Sequence, residues 1–239
     1  LWDHLSSPNF SFAHGIGDAL AAILFDPDSS APDRFRTFPF NNVVLRRHDR
    51  AVESGWGFGG SMDVGSYQST QIVSTVIFRI YRSLGGDDSL LAEREYVSRY
   101  ITYLMLLGVP FLSEIIPNTA VGLSSAMQES DIGTTDFEGF SGGWSHKVIR
   151  WGFEKQNLYD GTPPPVDIYI DDGRDGEYPH TNNVEDSPDI WNRHRPDGGI
   201  SHETPRNNVE NYLYVRISNR GSEPAEQVSI RGYRANENQ

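Results

Sequence analysis

Two polar side chains interrupt a small and apolar stretch near the start of the sequence. In "FAHGIGDALAAILFDPDS" (residues 12–29), every residue from Ala13 to Phe25 is small or apolar except His14 and Asp18. Side chains four residues apart share one face of a helix, so an imidazole and a carboxylate would stand together on a segment suited to burial. A buried charge needs a partner or a metal ion, and ligating imidazoles are commonly supported by carboxylates. The pair is therefore a candidate metal site, with His14 as the ligand and Asp18 as the carboxylate that supports its imidazole.

Two structural explanations of the same pair stay open. His14 and Asp18 could form a hydrogen-bonded pair within the core. Alternatively, Asp18 could cap the start of a shorter helix that begins at Ala19, which Gly15 and Gly17 would favour.

A second polar cluster lies in "LRRHDRAVESGWGFGG" (45–60), where four charged residues surround His48 and precede Trp56 and Phe58. One interpretation is that this segment lines a ligand cleft, with His48 and Trp56 on its rim. The other is a solvated loop with internal ion pairs.

The segment "DDGRDGE" (171–177) places four carboxylates close together in a glycine-containing turn: Asp171, Asp172, Asp175 and Glu177. Hard oxygen ligands suit Ca²⁺, although the spacing is too short for an EF-hand. The sequence predicts either a calcium site or a solvated acidic hairpin.

Trp191 precedes the turn-rich loop "RPDGGISH" (195–202). This loop is either a simple connection or, together with Trp191, part of a sugar-binding rim.

The elements that must position these residues are helices in the first two thirds of the chain. Apolar residues recur every three or four positions in "YQSTQIVSTVIFRIYRSLGGD" (67–87) and in "SLLAEREYVSRYITYLMLLG" (89–108), and each run ends at glycine. Further helices are predicted over about 119–130 and 145–158. A long loop, 26–66, follows the helix that carries His14.

Beyond "GTPPP" (161–165) the hydrophobic period changes from about 3.6 to 2. Alternation predicts that Leu213, Val215 and Ile217 share one face, and "NRGS" (219–222) predicts a hairpin turn. The predicted strands are "VDIYI", "PDIWNR", "NYLYVRISN" and "EQVSIRGYRA". The sequence therefore predicts an α+β protein of two modules, a mainly α-helical lobe over 1–160 and a small antiparallel Ig-like β-sandwich over 161–239.

Three short segments occur in the order known from one enzyme family: the H-x-x-x-D of His14 and Asp18, "GSYQST" (65–70) before a long helix, and "VIRWGFEKQNLY" (148–159). On these segments, the first two thirds of the chain resemble the C-terminal helical lobe of thermolysin-like and fungalysin-like zinc metallopeptidases, the gluzincins. That family has E-x-x-x-D at the first position, which supplies a zinc ligand and an Asp that holds a zinc-binding His. The resemblance implies that His14 binds zinc, Asp18 supports the site, and Tyr67 donates to the oxyanion.

The chain departs from the family in three places. His14 replaces a Glu and Tyr67 replaces a His, and both replacements are chemically competent because imidazole binds zinc and a phenol can donate to an oxyanion. The HExxH motif, which gives two zinc ligands and the general base, does not occur in the 239 residues. By order of elements it would fall just before Leu1, so the chain resembles the half of a peptidase that follows the zinc helix, reached by processing or truncation.

Composition narrows the classes of partner. The net charge of −13 argues against a nucleic-acid or anionic-membrane surface, which would need a basic stripe. With no Cys, neither disulfides nor thiolate metal sites can form, and either redox compartment is compatible. The most apolar run, 101–112, is too short to span a bilayer.

Two functions follow as hypotheses. The first is the C-terminal part of a secreted, extracellular zinc metallopeptidase-like hydrolase that cleaves a peptide or protein by attack of zinc-bound water. It would be inactive as this chain alone, would need a missing N-terminal half or chain as partner, and could also bind calcium. The alternative is a non-catalytic lectin-like or protein-binding module on a peptidase-derived scaffold, with carbohydrate among its ligands.

Overall fold

The computed structural model describes residues 11–28, 34–37, 46–64, 67–112, 120–159, 163–171, 187–230 and 232. These residues combine α-helices with small antiparallel sheets. They divide into two compact units, one up to residue 159 and one from residue 163 onward.

The first unit is mainly helical, and each of the five predicted helices is present. Their bounds are α1 Ser11–Phe25, α2 Thr70–Tyr81, α3 Leu91–Phe111, α4 Ala120–Gly133 and α5 His146–Glu154. Between α1 and α2, a short antiparallel pair joins β1 Arg36–Thr37 to β2 Arg46–Arg47.

Helix α2 is the centre of the first unit. Eleven of its twelve residues are buried, the exception being Arg79, and the helix packs against α1, α3 and α5. A helix without a charged face is expected to be surrounded in this way. The helix runs into a π-helical turn, Arg82–Gly86, in which Gly85 has a φ of 133°, a conformation that favours glycine.

Helix α3 extends to Phe111, beyond the end predicted at Gly108. Helix α3 packs against α4, and both Gly108 and Val109 are buried. Tertiary packing therefore carries the helix past this glycine, which does not stop it. In the described part of the chain, no helix has the length and apolar content to cross a bilayer.

The second unit holds two two-stranded antiparallel sheets within the described residues. Strand β3 (Ile168–Tyr169) pairs with β6 (Ser218–Asn219), and β4 (Ile190–Arg193) pairs with β5 (Tyr212–Val215).

Two strand predictions for this unit are wrong. The described residues of "EQVSIRGYRA", 226–230 and 232, form no strand, and "NRGS" does not connect paired strands. Instead this turn is held by Asp167, whose carbonyl accepts from the Arg220 nitrogen at 3.1 Å and whose own nitrogen donates to Asn219 Oδ1 at 3.0 Å. Distant pairing thus overrides the local turn signal.

On the face of β5 that Leu213 shares with Val215 in the alternation, Leu213 is 65% exposed. The packing comes from Tyr214 on the opposite face, whose ring stacks on that of Trp191 with centroids 5.6 Å apart. Stacking between the two aromatic rings, one on each strand, determines which face is covered.

Candidate functional site

The close approach of α1 to the start of α2 creates the candidate site. A Cβ on Gly15 would lie 2.6 Å from the Thr70 carbonyl oxygen, so only glycine lets the two backbones come this near. The neighbouring His14 is thereby brought against Tyr67, with ring centroids 4.8 Å apart and ring planes at 84°. Two residues that lie far apart in sequence thus form an edge-to-face contact, a favoured geometry for such rings.

Asp18 lies one turn after His14 and is buried, with 8% exposure. Because α1 begins at Ser11, Asp18 is inside the helix and does not cap it. Its carboxylate forms an ion pair with Arg46: Nε donates to Oδ2 at 2.8 Å, and Nη2 lies 2.8 Å from the same oxygen. The need for a charge partner is met by this arginine.

Arg46 links the carboxylate to Tyr67. Its Nη1 donates to the Tyr67 carbonyl oxygen at 2.6 Å, and its guanidinium carbon lies 4.3 Å from the centroid of the Tyr67 ring. With 1% of its surface exposed, the side chain is enclosed. The four residues His14, Asp18, Arg46 and Tyr67 are called the His14 cluster below.

The chemistry of the His14 cluster is set by these contacts. The Arg46 charge balances that of Asp18, while His14 is half-buried and next to a phenol. An imidazole and a phenol held side by side can position and polarise a carbonyl group by hydrogen bonding.

Zinc does not fit this cluster by itself. Catalytic zinc sites use three protein ligands, and no group of three or more His, Cys, Asp or Glu residues placed to hold a metal occurs among the described residues. The cluster supplies one imidazole, and its carboxylate is engaged by Arg46. No zinc-dependent step can be derived from these residues alone.

The other predicted ligand residues of the first unit, His48 and Trp56, lie in the segment that follows β2. His48 is 1% exposed, and its Nδ1 is 3.0 Å from Ser74 Oγ. Burial, together with the charges of Arg46 and Arg50, lowers the pKa of His48 to about 4. Trp56 is 7% exposed and covered by the Arg50 guanidinium, 4.1 Å from its ring centroid, so it packs within the protein and does not form an open rim.

Trp191 belongs to the second unit, whereas His48 and Trp56 belong to the first. It is 9% exposed, and its Nε1 donates to the Gly199 carbonyl oxygen at 2.7 Å. This hydrogen bond joins the turn-rich loop to β4, and the small exposed surface of the indole offers little area on which a sugar could stack.

Of the predicted calcium ligands, only Asp171 lies within the described residues. Its backbone nitrogen donates to Asp189 Oδ2 at 3.1 Å. Asp172, Asp175 and Glu177 lie outside the described residues, so the calcium site stays a prediction.

The residue that sequence reasoning missed is Arg46 as the partner of Asp18. A signal is present in the sequence, since Arg46 directly follows the apolar residues "VVL", and such residues favour burial. What the sequence does not reveal is the course of the chain that brings Arg46 back to α1.

Comparison with known proteins gives no family: no family model, no curated protein and no solved structure is significantly similar to this chain.

Proposed function

We propose that the chain is the C-terminal part of a zinc metallopeptidase-like protein, in which α1 and α2 form one wall of the substrate cleft. The observation that carries the proposal is the contact between His14 and Tyr67. The gluzincin resemblance predicts that these residues act at one site, and they come from segments separated by a long loop.

Each member of the cluster has a role in this proposal. His14 supplies one zinc ligand, and Tyr67 donates a hydrogen bond to the substrate oxyanion. Arg46 and Asp18 keep the two segments together through their buried ion pair. The remaining zinc ligands and the general base come from outside the described residues, because the 239-residue sequence contains no HExxH.

The second unit is proposed to be an accessory module, a small Ig-like sandwich. Its antiparallel pairs β3–β6 and β4–β5 support this idea. Calcium in the segment 171–177 and an extracellular location belong to the same proposal.

Zinc content tests the proposal on the product of the complete gene. We expect about one zinc per chain, as in catalytic sites with a single metal, and peptidase activity that a chelator abolishes. His14→Ala should lose both the zinc and the activity. Tyr67→Phe should keep the zinc but lower kcat about 100-fold, the usual effect of removing one oxyanion donor.

A matched control is His202→Ala, which removes an exposed imidazole from the second unit. This variant should keep its zinc and its activity. A zinc-free gene product, or full zinc content in the His14→Ala variant, would favour the non-catalytic binding module instead. The 239-residue chain by itself should not cleave casein, and chelator-sensitive cleavage by it would contradict the proposal.

A further inference from the structure

A cleft distinct from the His14 cluster lies beside the second half of α2. It is enclosed by the segment 48–53, by one side of α2 and by α5, and its volume is about 420 Å³. This size suits a small organic molecule. The cleft shares no residue with the His14 cluster, and Phe78 in its wall lies roughly 16 Å along α2 from Tyr67 at the helical rise per residue.

The lining of the cleft carries more positive than negative charge. Four of its residues are basic, Arg50, Arg79, Arg82 and Lys155, and two are acidic, Asp49 and Glu53. The protein as a whole has a net charge of −13, so a basic cleft is unusual for this chain. Neighbouring carboxylates balance part of the charge, because Arg82 pairs with Asp87 at 2.7 Å and Asp49 accepts from Arg47 at 2.7 Å.

Arg50 is held in place by neutral groups. Its Nε and Nη2 donate to Gln71 Oε1 at 2.9 and 2.7 Å, and its guanidinium lies over Trp56. Burial, and then the positive charges of Arg47 and Arg46, lower the pKa of Arg50. A fixed guanidinium in a positive environment is pre-organised to receive an anion.

His48 is a buried residue of the cleft wall. Its Nε2 has no hydrogen-bond partner among the described residues, and buried polar atoms without partners call for an explanation. The Ser74 hydroxyl donates to the Gln71 carbonyl oxygen at 3.3 Å, and its oxygen lies 3.0 Å from His48 Nδ1, which fixes the ring beside Arg50 in the wall of the cleft.

Apolar side chains form the rest of the lining, among them Val52, Phe78 and Trp151. A hydrated inorganic ion gains nothing from such a surface, whereas an organic group gains by burying its own apolar area there. We propose that this cleft binds a small organic anion, whose carboxylate or phosphate group meets Arg50, Arg79 and Lys155 while its apolar part packs against Val52 and Trp151.

Calorimetric titration of the 239-residue chain at low salt tests this proposal. The probes are benzoate and phenyl phosphate, with benzamide as the uncharged analogue and inorganic phosphate as the anion without an apolar part. We expect one of the two organic anions to bind, and the tighter one identifies the head group as carboxylate or phosphate. Benzamide and inorganic phosphate should bind at least tenfold more weakly.

Charge-removing variants locate the binding. Arg79→Gln and Lys155→Gln should each raise the Kd of the preferred anion about fivefold, the size of an exposed charge contact. The matched control is Arg99→Gln, which removes a cation that pairs with Glu138 outside the cleft and should leave the Kd unchanged. No heat with either organic anion at millimolar concentration, equal effects of all three variants, or equal affinity for inorganic phosphate would overturn the proposal. The result is independent of zinc, since the cleft uses none of the His14 cluster.

Discussion

Arg46 and Arg99 show how strongly the contribution of an ion-paired arginine to stability depends on its burial. Both side chains form ion pairs with a carboxylate, Arg46 with Asp18 and Arg99 with Glu138. The side chain of Arg46 is 1% exposed and that of Arg99 is 49% exposed. Water screens the second pair but not the first, so only the loss of Arg46 leaves a buried charge without a partner.

We therefore predict that Arg46→Met destabilises the chain by about 3–5 kcal/mol, because the Asp18 carboxylate remains buried and unpaired. Arg99→Met should cost less than about 1 kcal/mol. Urea denaturation of both variants measures the difference. Adding Asp18→Leu to Arg46→Met should recover part of the loss, and equal stability of the two single variants would show that the Asp18 pair is not effectively buried.

At the residue scale, the sequence predicts part of the site. His14 and Asp18 can be placed on one helix face because a helical period is local, and Tyr67 follows from the resemblance. The contact between Arg46 and Asp18 could not be predicted, because it depends on how a loop returns to α1. Such long-range geometry leaves no periodic pattern in the sequence.

At the element scale, Gly15 and Gly17 lie on α1 but face different surroundings. A Cβ on Gly15 would lie 2.6 Å from the Thr70 carbonyl oxygen and 3.1 Å from Val73 Cβ, whereas one on Gly17 would meet nothing within 4 Å. Gly15 therefore sets the distance between α1 and α2, and Gly17 only weakens the helix.

Alanine substitution should separate the two roles. Gly17→Ala should stabilise the chain by up to about 1 kcal/mol through helix propensity. Gly15→Ala should destabilise it by about 1–3 kcal/mol, because the added methyl group forces α1 away from α2. Thermal and urea unfolding of both variants would measure this, and effects of the same sign would contradict the close approach.

The junction between α4 and α5 depends on one buried carboxylate. Asp131, at the end of α4, accepts from Tyr100 Oη at 2.6 Å, from Ser145 Oγ at 2.7 Å, and from the backbone nitrogens of Ser145 and His146 at 3.1 and 2.9 Å. Burial alone would raise the pKa of Asp131, but hydrogen bonds from His146, Tyr100 and Ser145 outweigh burial and lower the pKa to about 2. The carboxylate thus supplies the acceptor that the first turn of α5 needs.

This lowered pKa predicts an acid-dependent loss of stability. The folded-state pKa lies below the unfolded value of 3.8, so ionised Asp131 contributes about 2 kcal/mol to the free energy of unfolding. This contribution is complete above about pH 4 and disappears as the pH falls toward 2. Asp131→Asn should be less stable than the natural chain at about pH 6, and the difference should narrow at about pH 3 in urea denaturation. The other carboxylates affect the stability of both proteins equally, so the comparison isolates Asp131. A stability difference that does not change with pH would show that Asp131 is not ionised in the fold.

Elements that depend on local interactions agree with the prediction better than elements that depend on pairing between distant parts of the chain. The helices could be predicted because their hydrogen bonds and apolar stripes are local. The strands are less predictable: β6 pairs with β3, about fifty residues earlier in the chain, and the alternation does not tell which face of β5 is covered. Short strands give few alternating positions, so aromatic pairing such as that of Trp191 with Tyr214 decides their orientation.

At the scale of the whole molecule, the hydrophobic core belongs to one unit. The large cluster of buried apolar residues in the described part of the chain begins at Ile16 and ends at Leu158. No described residue of the second unit contributes to this cluster, and among the described residues the two compact units divide at the proline-rich segment 161–165. Removal of the second unit should therefore leave the core intact.

We predict that the fragment 1–161 folds by itself, because the core cluster of the described residues lies entirely before this cut. Its far-ultraviolet circular dichroism should retain the helical minima, and its Tm should stay within about 4 °C of the Tm of the helical unit in the full chain, a shift that corresponds to about 1 kcal/mol. The fragment 166–239 should show no helical minima, and Arg46→Met should lower the Tm of the first fragment as it is predicted to do in the full chain. A strongly helical 166–239 fragment, or a 1–161 fragment without cooperative unfolding, would show that the two units do not fold independently.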